Sequence, residues 1–144
     1  MAITTNAIAS SFKKELLEGK HDFTASTGSA FKLAMYNSNA VLGKSTTSYT
    51  TGSEVTSPAG YTAGGKALVN TGTSVASSVA ITNFSNLSFT NVTLTARGAL
   101  IYNTSNTNSA VAVLDFVDNK TATAGTFTIQ FPAYTTSAAI LRIS

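Results

Sequence analysis

Residues 92–117, VTLTARGALIYNTSNTNSAVAVLDFV, are the stretch that decides the fold of this chain. Their first part alternates apolar with polar side chains, which is the period of a strand with one buried and one solvated face. A polar turn at 103–109 then leads into an apolar run at 110–117. The pattern predicts an antiparallel hairpin. Gly98 is expected to bend or bulge its first strand, because a glycine inside a strand often marks such an irregularity.

Shorter strand-like segments make up most of the remaining chain beyond Phe23. Turn-forming residues separate them, as at 37–39, and Pro132 is expected to end one of them. Many short strands divided by turns predict a mainly β fold, an antiparallel and jelly-roll-like β-sandwich, in one domain spanning 1–144. The expected strands are 31–36, 66–69, 78–82, 87–89, 92–102, 110–117, 126–131 and 138–143.

The segment 6–18 has the period of an amphipathic helix instead. Its apolar positions recur every three to four residues, and Gly19 is a typical residue to follow a helix C-terminus. Thr5 or Asn6 is expected to cap its N-terminus. Two roles stay open for this helix: packing on the chain's own sheet, or docking on a neighbouring subunit. Its apolar positions are Ile8, Phe12, Leu16 and Leu17.

A long loop is predicted at 43–66, where five glycines and Pro58 interrupt any hydrophobic period. One short strand is expected inside it, near 49–55. Loops of this length in a compact domain are usually functional or interfacial. We therefore expect the loop to contribute to a contact surface.

Charge is scarce and unevenly placed. Residues 13–22 hold six of the fifteen Lys, Arg, Asp and Glu residues together with His21, the only histidine. The 122 residues from Phe23 onward carry nine charges, whereas Thr, Ser and Asn number 24, 18 and 11 in the whole chain. Groups that serve acid–base or nucleophilic catalysis are therefore few, which argues against an enzyme.

The composition also narrows the partners. The net charge of +3 comes from scattered cations, whereas nucleic-acid binding normally needs clustered Lys and Arg. The chain has no cysteine for a disulfide or a cysteine-liganded zinc site, and its apolar runs are too short to span a bilayer. The N-terminus lacks the features of a secretory signal. We expect no nucleic-acid partner and no membrane association.

One segment imitates a nucleotide-binding motif. Residues 60–67, GYTAGGKA, match the phosphate-binding G-x-x-x-x-G-K pattern, but Ala67 stands where Ser or Thr would hold magnesium. The motif also requires a buried strand before it and a helix after it, and the flanking sequence predicts neither. We expect no nucleotide site here.

The remaining candidates for chemistry are His21 and two aspartates. His21 is expected to be a solvated residue just past the helix, near the negative end of the helix dipole. Asp115 is expected to pair with Arg97 or to cap a turn, and Asp118 lies three residues further along. A glycosidase would need two facing carboxylates, and a calcium loop would need alternating oxygen ligands. The sequence therefore predicts no catalytic, cofactor-binding or metal-binding residues.

Three blocks of sequence carry a resemblance. They are 11–23 with 31–34, then YTAGG at 61–65, and finally ARGALIYN at 96–103 with 110–116 and 127–132. Together they resemble a group of small virion structural proteins encoded by tailed bacteriophages, and the similarity covers most of the chain. That group has no catalytic motif to transfer, so the resemblance implies a component of the particle.

These observations lead to one hypothesis about function. We expect a non-enzymatic phage virion structural protein, most specifically a capsid decoration or cement protein that acts by surface complementarity in a homo-oligomer. Helix 6–18 and loop 43–66 would contact the shell or neighbouring copies. The alternative is a tail- or fibre-associated module that binds the host.

The same hypothesis fixes the expected partners and location. The partners are copies of the chain itself, with a trimer as one candidate state, and other virion proteins such as the major capsid protein or tail components. No cofactor is expected. The location is the virion, assembled in the cytoplasm of the host bacterium.

Overall fold

The computed structural model describes residues 3–56 and 60–144. Residues 57–59 of the long loop, Pro58 among them, and residues 1–2 lie outside the described part. The chain is mainly β with antiparallel pairing and one short N-terminal helix, which confirms the predicted fold class. Its elements are β1 Ala7–Ile8, α1 Ser10–Leu17, β2 Phe31–Tyr36, β3 Lys66–Ala67, β4 Asn70–Ala76, β5 Val79–Phe84, β6 Leu87–Asn103, β7 Ser109–Ile129 and β8 Leu141–Ile143.

The strands form two sheets in a sandwich-like arrangement. The larger sheet has the order β1-β7-β6-β2-β3, and the smaller sheet has the order β4-β5-β8. Phe31 of the larger sheet meets Phe84 of the smaller one with ring centroids 5.5 Å apart, and Phe84 also lies 5.7 Å from Phe131. Phe23 stacks on Phe31 at 4.7 Å. These rings join the two sheets through one buried core.

The predicted hairpin is the centre of the larger sheet. β6 and β7 pair from Asn103↔Ser109 at the turn to Leu87↔Ile129 at the far end. The predicted breaks at 90–91 and 118–125 were wrong, because bulges take their place and the ladder continues. Asn91 and Ala124 have positive φ at such points, where the β6–β7 register shifts.

The irregularity at Gly98 is confirmed, although its extra residues are on the partner strand. Ala96 pairs with Lys120 and Gly98 with Asp115, so residues 116–119 of β7 stand opposite Arg97 alone. We call residues 116–119 the β7 bulge. A Cβ on Gly98 would lie 2.5 Å from the carbonyl oxygen of Leu114, so close packing of the two strands requires glycine here.

The shorter strands were predicted with mixed success. β2 has the predicted bounds, and the turn at 37–39 follows it. The strand expected near 49–55 is wrong: the described loop makes only the isolated bridges Tyr36↔Glu54 and Ser48↔Ser109. β3 and β8 are shorter than predicted, and β4 was missed because its polar sequence, NTGTSVA, is typical of a turn.

The helix begins four residues later than predicted, because Ala7–Ile8 pairs with β7 as a short strand. Its N-cap is Ala9, which makes no side-chain cap, while the Asn6 side chain accepts a hydrogen bond from the Asp115 N–H (2.7 Å). Gly19 is confirmed as the residue that ends the helix, with φ 72°. Leu17 is 92% exposed and Phe12 is buried, so the buried stripe is narrower than predicted. Among the described residues no helix has the length and apolar character needed to span a membrane.

Candidate functional site

A buried carboxylate fixes the long loop to the larger sheet. Glu54 is almost fully buried, and its carboxylate accepts hydrogen bonds from the Tyr49 hydroxyl (2.6 Å), the Tyr61 hydroxyl (2.7 Å) and the Gly64 N–H (2.7 Å). Burying a charged group is costly unless it is well hydrogen-bonded, and these three donors compensate it. We call Tyr49, Glu54, Tyr61 and Gly64 the loop cluster.

Neighbouring tyrosines extend the loop cluster into the sheet. The Tyr61 hydroxyl accepts the N–H of Met35 in β2 (2.9 Å), and the Tyr102 hydroxyl of β6 donates to the Gly64 carbonyl (2.6 Å). The rings of Tyr49 and Tyr102 stack with centroids 4.7 Å apart. The pKa values of Tyr49 and Tyr61 are raised far above the ordinary value of a tyrosine. Burial is the larger cause, and the hydrogen bond to Glu54 is the second. Both phenols therefore stay protonated, as donors to the carboxylate must.

The segment that imitates a nucleotide-binding loop is part of this packing. A Cβ on Gly65 would lie 1.8 Å from the Leu33 carbonyl oxygen. The loop therefore lies so close to β2 that only glycine fits at this position. Lys66 opens strand β3, and its ammonium group donates to the Ser88 carbonyl (2.5 Å) and lies 5.7 Å from the centre of the Phe89 ring. The glycines and the lysine thus serve the fold.

A second polar cluster ties the helix to the turn of the hairpin. The prediction that His21 is solvated was wrong: its side chain is buried. Its Nδ1 lies 2.9 Å from Nδ2 of Asn103, and its Nε2 lies 3.3 Å from a carboxylate oxygen of Glu15. Asn106 also reaches Glu15, at 3.3 Å. We call Glu15, His21, Asn103 and Asn106 the helix cluster.

The chain geometry explains why His21 is buried. The N–H of Gly19 donates to the Leu16 carbonyl and that of Lys20 to the Glu15 carbonyl, a Schellman pattern that turns the chain back under the helix. The imidazole then packs 4.7 Å from the Phe12 ring. Both ring nitrogens are engaged, so the imidazole joins α1 to the hairpin turn.

Asp115 forms the predicted ion pair with Arg97. Its carboxylate also accepts the N–H of Val117 (2.8 Å), so it caps the β7 bulge as well. The Arg97 guanidinium holds the pKa of Asp115 below its usual range. Asp118 lies exposed on the bulge. Within 3–56 and 60–144, no group of three or more potential metal-ligating side chains comes together.

Two adjoining cavities open on the surface between the two sheets. The β7 cavity, of about 810 Å³, lies along β1 and β7, and the helix cavity, of about 860 Å³, lies between α1 and strands β5 and β8. Ile8 and Ile140 line both of them. Most of the other side chains that line the β7 cavity are apolar, among them Leu114, Phe116 and Ile129. The helix cavity has a mixed wall, in which Phe12, Leu16 and Leu141 are among the apolar side chains.

Cations outnumber acids around these cavities. Lys120 lines the β7 cavity, and Lys13 and Arg142 line the helix cavity. Asp22 also lines the helix cavity, but its carboxylate accepts hydrogen bonds from the N–H (2.9 Å) and the hydroxyl (2.6 Å) of Thr24. The result is a partly apolar surface with basic side chains around it.

In comparisons with known proteins, no protein family, curated protein or solved structure matches the chain.

Sequence reasoning missed the loop cluster entirely. One signal was available, since Glu54 is a lone acid between two tyrosines in an otherwise uncharged part of the loop. A lone charge in such a neutral setting is a candidate for burial with dedicated hydrogen-bond donors.

Proposed function

We propose that this chain is a non-enzymatic structural protein of a tailed-phage virion, most specifically a capsid decoration protein that works as a homo-oligomer. The observation that carries the proposal is the structural role of the ionisable side chains. Glu54, His21 and Asp115 are each engaged in contacts that fix a loop, a helix or a bulge. The distinctive features left on the surface are shape and apolar area, which are the means of assembly.

The blocks that resemble phage virion proteins support the proposal. The first holds Glu15 and His21, the second holds Tyr61 and Gly64, and the third holds Asn103. The resemblance therefore includes members of both polar clusters, which position the helix and the loop. Both are the elements we expect to dock.

The low charge of the chain is a second support. Identical copies that cover a shell stand close together, and a high net charge on each would make them repel. This chain carries a net charge of +3 and relies on Thr, Ser and Asn for its polar surface. Exposed Thr95 and Thr121, for example, are hydrogen-bonded to each other across β6 and β7 (2.8 Å).

Copy number in purified virions tests the proposal. Quantitative mass spectrometry of particles of the encoding phage, with the major capsid protein as internal standard, would give the number of chains per particle. A decoration protein predicts on the order of hundreds of copies, because it follows the symmetry of the shell. A few copies or a few dozen would favour the tail or fibre alternative. Absence from the particle would contradict both.

A further inference from the structure

The β7 bulge is an unusual projection. Val117 is 70% exposed and has φ 72°, a conformation that β-branched residues rarely adopt. The structure holds it there, because its N–H donates to Asp115, which Arg97 fixes in turn. A strained, exposed valine kept in place by a half-buried ion pair suggests a contact residue.

Charges near the bulge and near the helix cavity are complementary. In the described part of the chain, Asp118 on the bulge forms no ion pair. Lys13 and Arg142 form no ion pair in this part of the chain either. The Arg142 guanidinium donates a hydrogen bond to the Thr136 carbonyl oxygen (3.1 Å). An apolar projection with an acid beside it thus exists on the same molecule as a partly apolar cavity whose wall holds two cations, Lys13 and Arg142, and one acid, Asp22.

We infer that the β7 bulge of one copy seats in the helix cavity of a second copy. Val117 would enter the cavity, and Asp118 would meet Lys13 and Arg142 at its mouth. A volume of about 860 Å³ has room for several side chains. We assign a second copy as the occupant because the bulge has both an apolar side chain to fill the cavity and an acid to pair with its cations.

This contact has a consequence for symmetry. The bulge and the cavity are different surfaces, so the contact is heterologous and each copy can both give and receive one. Such contacts build a closed ring where the rotation permits. The inference rests on the proposed homo-oligomer and names its interface.

Charge reversal on the full-length chain tests the interface. Analytical ultracentrifugation over a concentration series would compare the wild type with Asp118→Arg, Arg142→Asp and the two combined. A close charge pair at an interface predicts that each single change weakens association about tenfold or more, and that the combination recovers most of the loss. Lys32→Glu, a charge reversal on β2 that lies outside both cavities, the helix and the long loop, is the matched control and should associate as the wild type does.

A second variant separates docking from folding. Val117→Asp puts a charge on the projection, yet Asp tolerates positive φ better than Val, so the fold should keep its stability. Val75→Asp is its control, since Val75 is 72% exposed on β4. We expect Val117→Asp to abolish association and Val75→Asp to leave it unchanged.

The outcomes distinguish the interface from the function. Association that survives both Val117→Asp and Asp118→Arg would overturn the inferred interface and leave a homo-oligomer standing. A wild type that stays monomeric throughout the series would also overturn it. The number of copies in the virion is measured separately and decides the proposed function by itself.

Discussion

The loop cluster and the helix cluster each fix one segment to the larger sheet, but they differ in the lengths of their hydrogen bonds. In the loop cluster, Glu54 accepts three hydrogen bonds of 2.6–2.7 Å. In the helix cluster, His21 makes contacts of 2.9 and 3.3 Å with Asn103 and Glu15. Both clusters contain a carboxylate, but the contacts of Glu15 in the helix cluster are long, at 3.3 Å, whereas strong hydrogen bonds to a charged acceptor are short. The difference suggests that the loop is the more firmly fixed of the two elements, and that breaking its cluster should cost more.

Replacing the central carboxylate should have the largest effect. Glu54→Leu leaves two phenol hydroxyls and one N–H without their acceptor, and we expect a loss of about 4 kcal/mol in the free energy of unfolding. Glu54→Gln keeps the shape and one good acceptor, so it should lose about half as much. Urea denaturation measures both. Equal midpoints for Glu54→Leu and the wild type would mean that the cluster does not hold the loop.

Two adjacent glycines test the close approach of the loop to β2. Both have positive φ, but a Cβ on Gly65 would collide with backbone, whereas one on Gly64 would meet only the Tyr102 hydroxyl at 3.5 Å. Gly65→Ala should therefore cost about 3 kcal/mol, from backbone strain together with overpacking. Gly64→Ala should cost about 1 kcal/mol from strain alone. Thermal unfolding would reveal the difference, and equal losses would argue against the close approach.

Truncating the helix cluster should cost less. Asn103 is fully buried, and its side chain contacts the His21 ring and accepts the Ser105 N–H (2.8 Å). Asn103→Ala should cost about 2 kcal/mol in the free energy of unfolding, since it leaves buried groups without partners. Asn106→Ala, at a less buried position, should cost about 1 kcal/mol and serves as the control. A larger loss for Asn103→Ala than for Glu54→Leu would reverse the ranking of the clusters.

The smallest expected effect depends on pH. Arg97 lowers the pKa of Asp115 in the folded chain, so its ionised form favours folding. That stability is present above the unfolded pKa of about 3.9 and is lost as the pH falls through the lower folded value. Asp115→Asn should therefore lose about 1 kcal/mol at pH 7 and less at pH 3. A deficit that is the same at both values would exclude the ion pair as its cause.

Local patterns predicted the local features well. The bounds of β2, the turn after it, the end of the helix at Gly19 and the irregularity at Gly98 all follow from backbone preferences and hydrophobic period. The hairpin followed from the same signals. Its bulges were mistaken for turns because both use residues that accept positive φ.

The polar clusters could not be predicted in this way. His21 meets Asn103 across 82 positions of the sequence, and no local pattern encodes such a contact. Glu54 accepts a hydrogen bond from Tyr61 within a loop whose sequence has no hydrophobic period. Such contacts depend on where the folded chain brings distant backbone together, so propensity and periodicity do not report them.

A cryo-electron microscopy map of the virion tests the central claim most directly. We predict symmetric groups of this domain on the outside of the head, with α1 and the loop at 43–66 facing the shell or neighbouring copies. Particles whose heads and tails are fully accounted for without this chain would contradict a structural role in the virion.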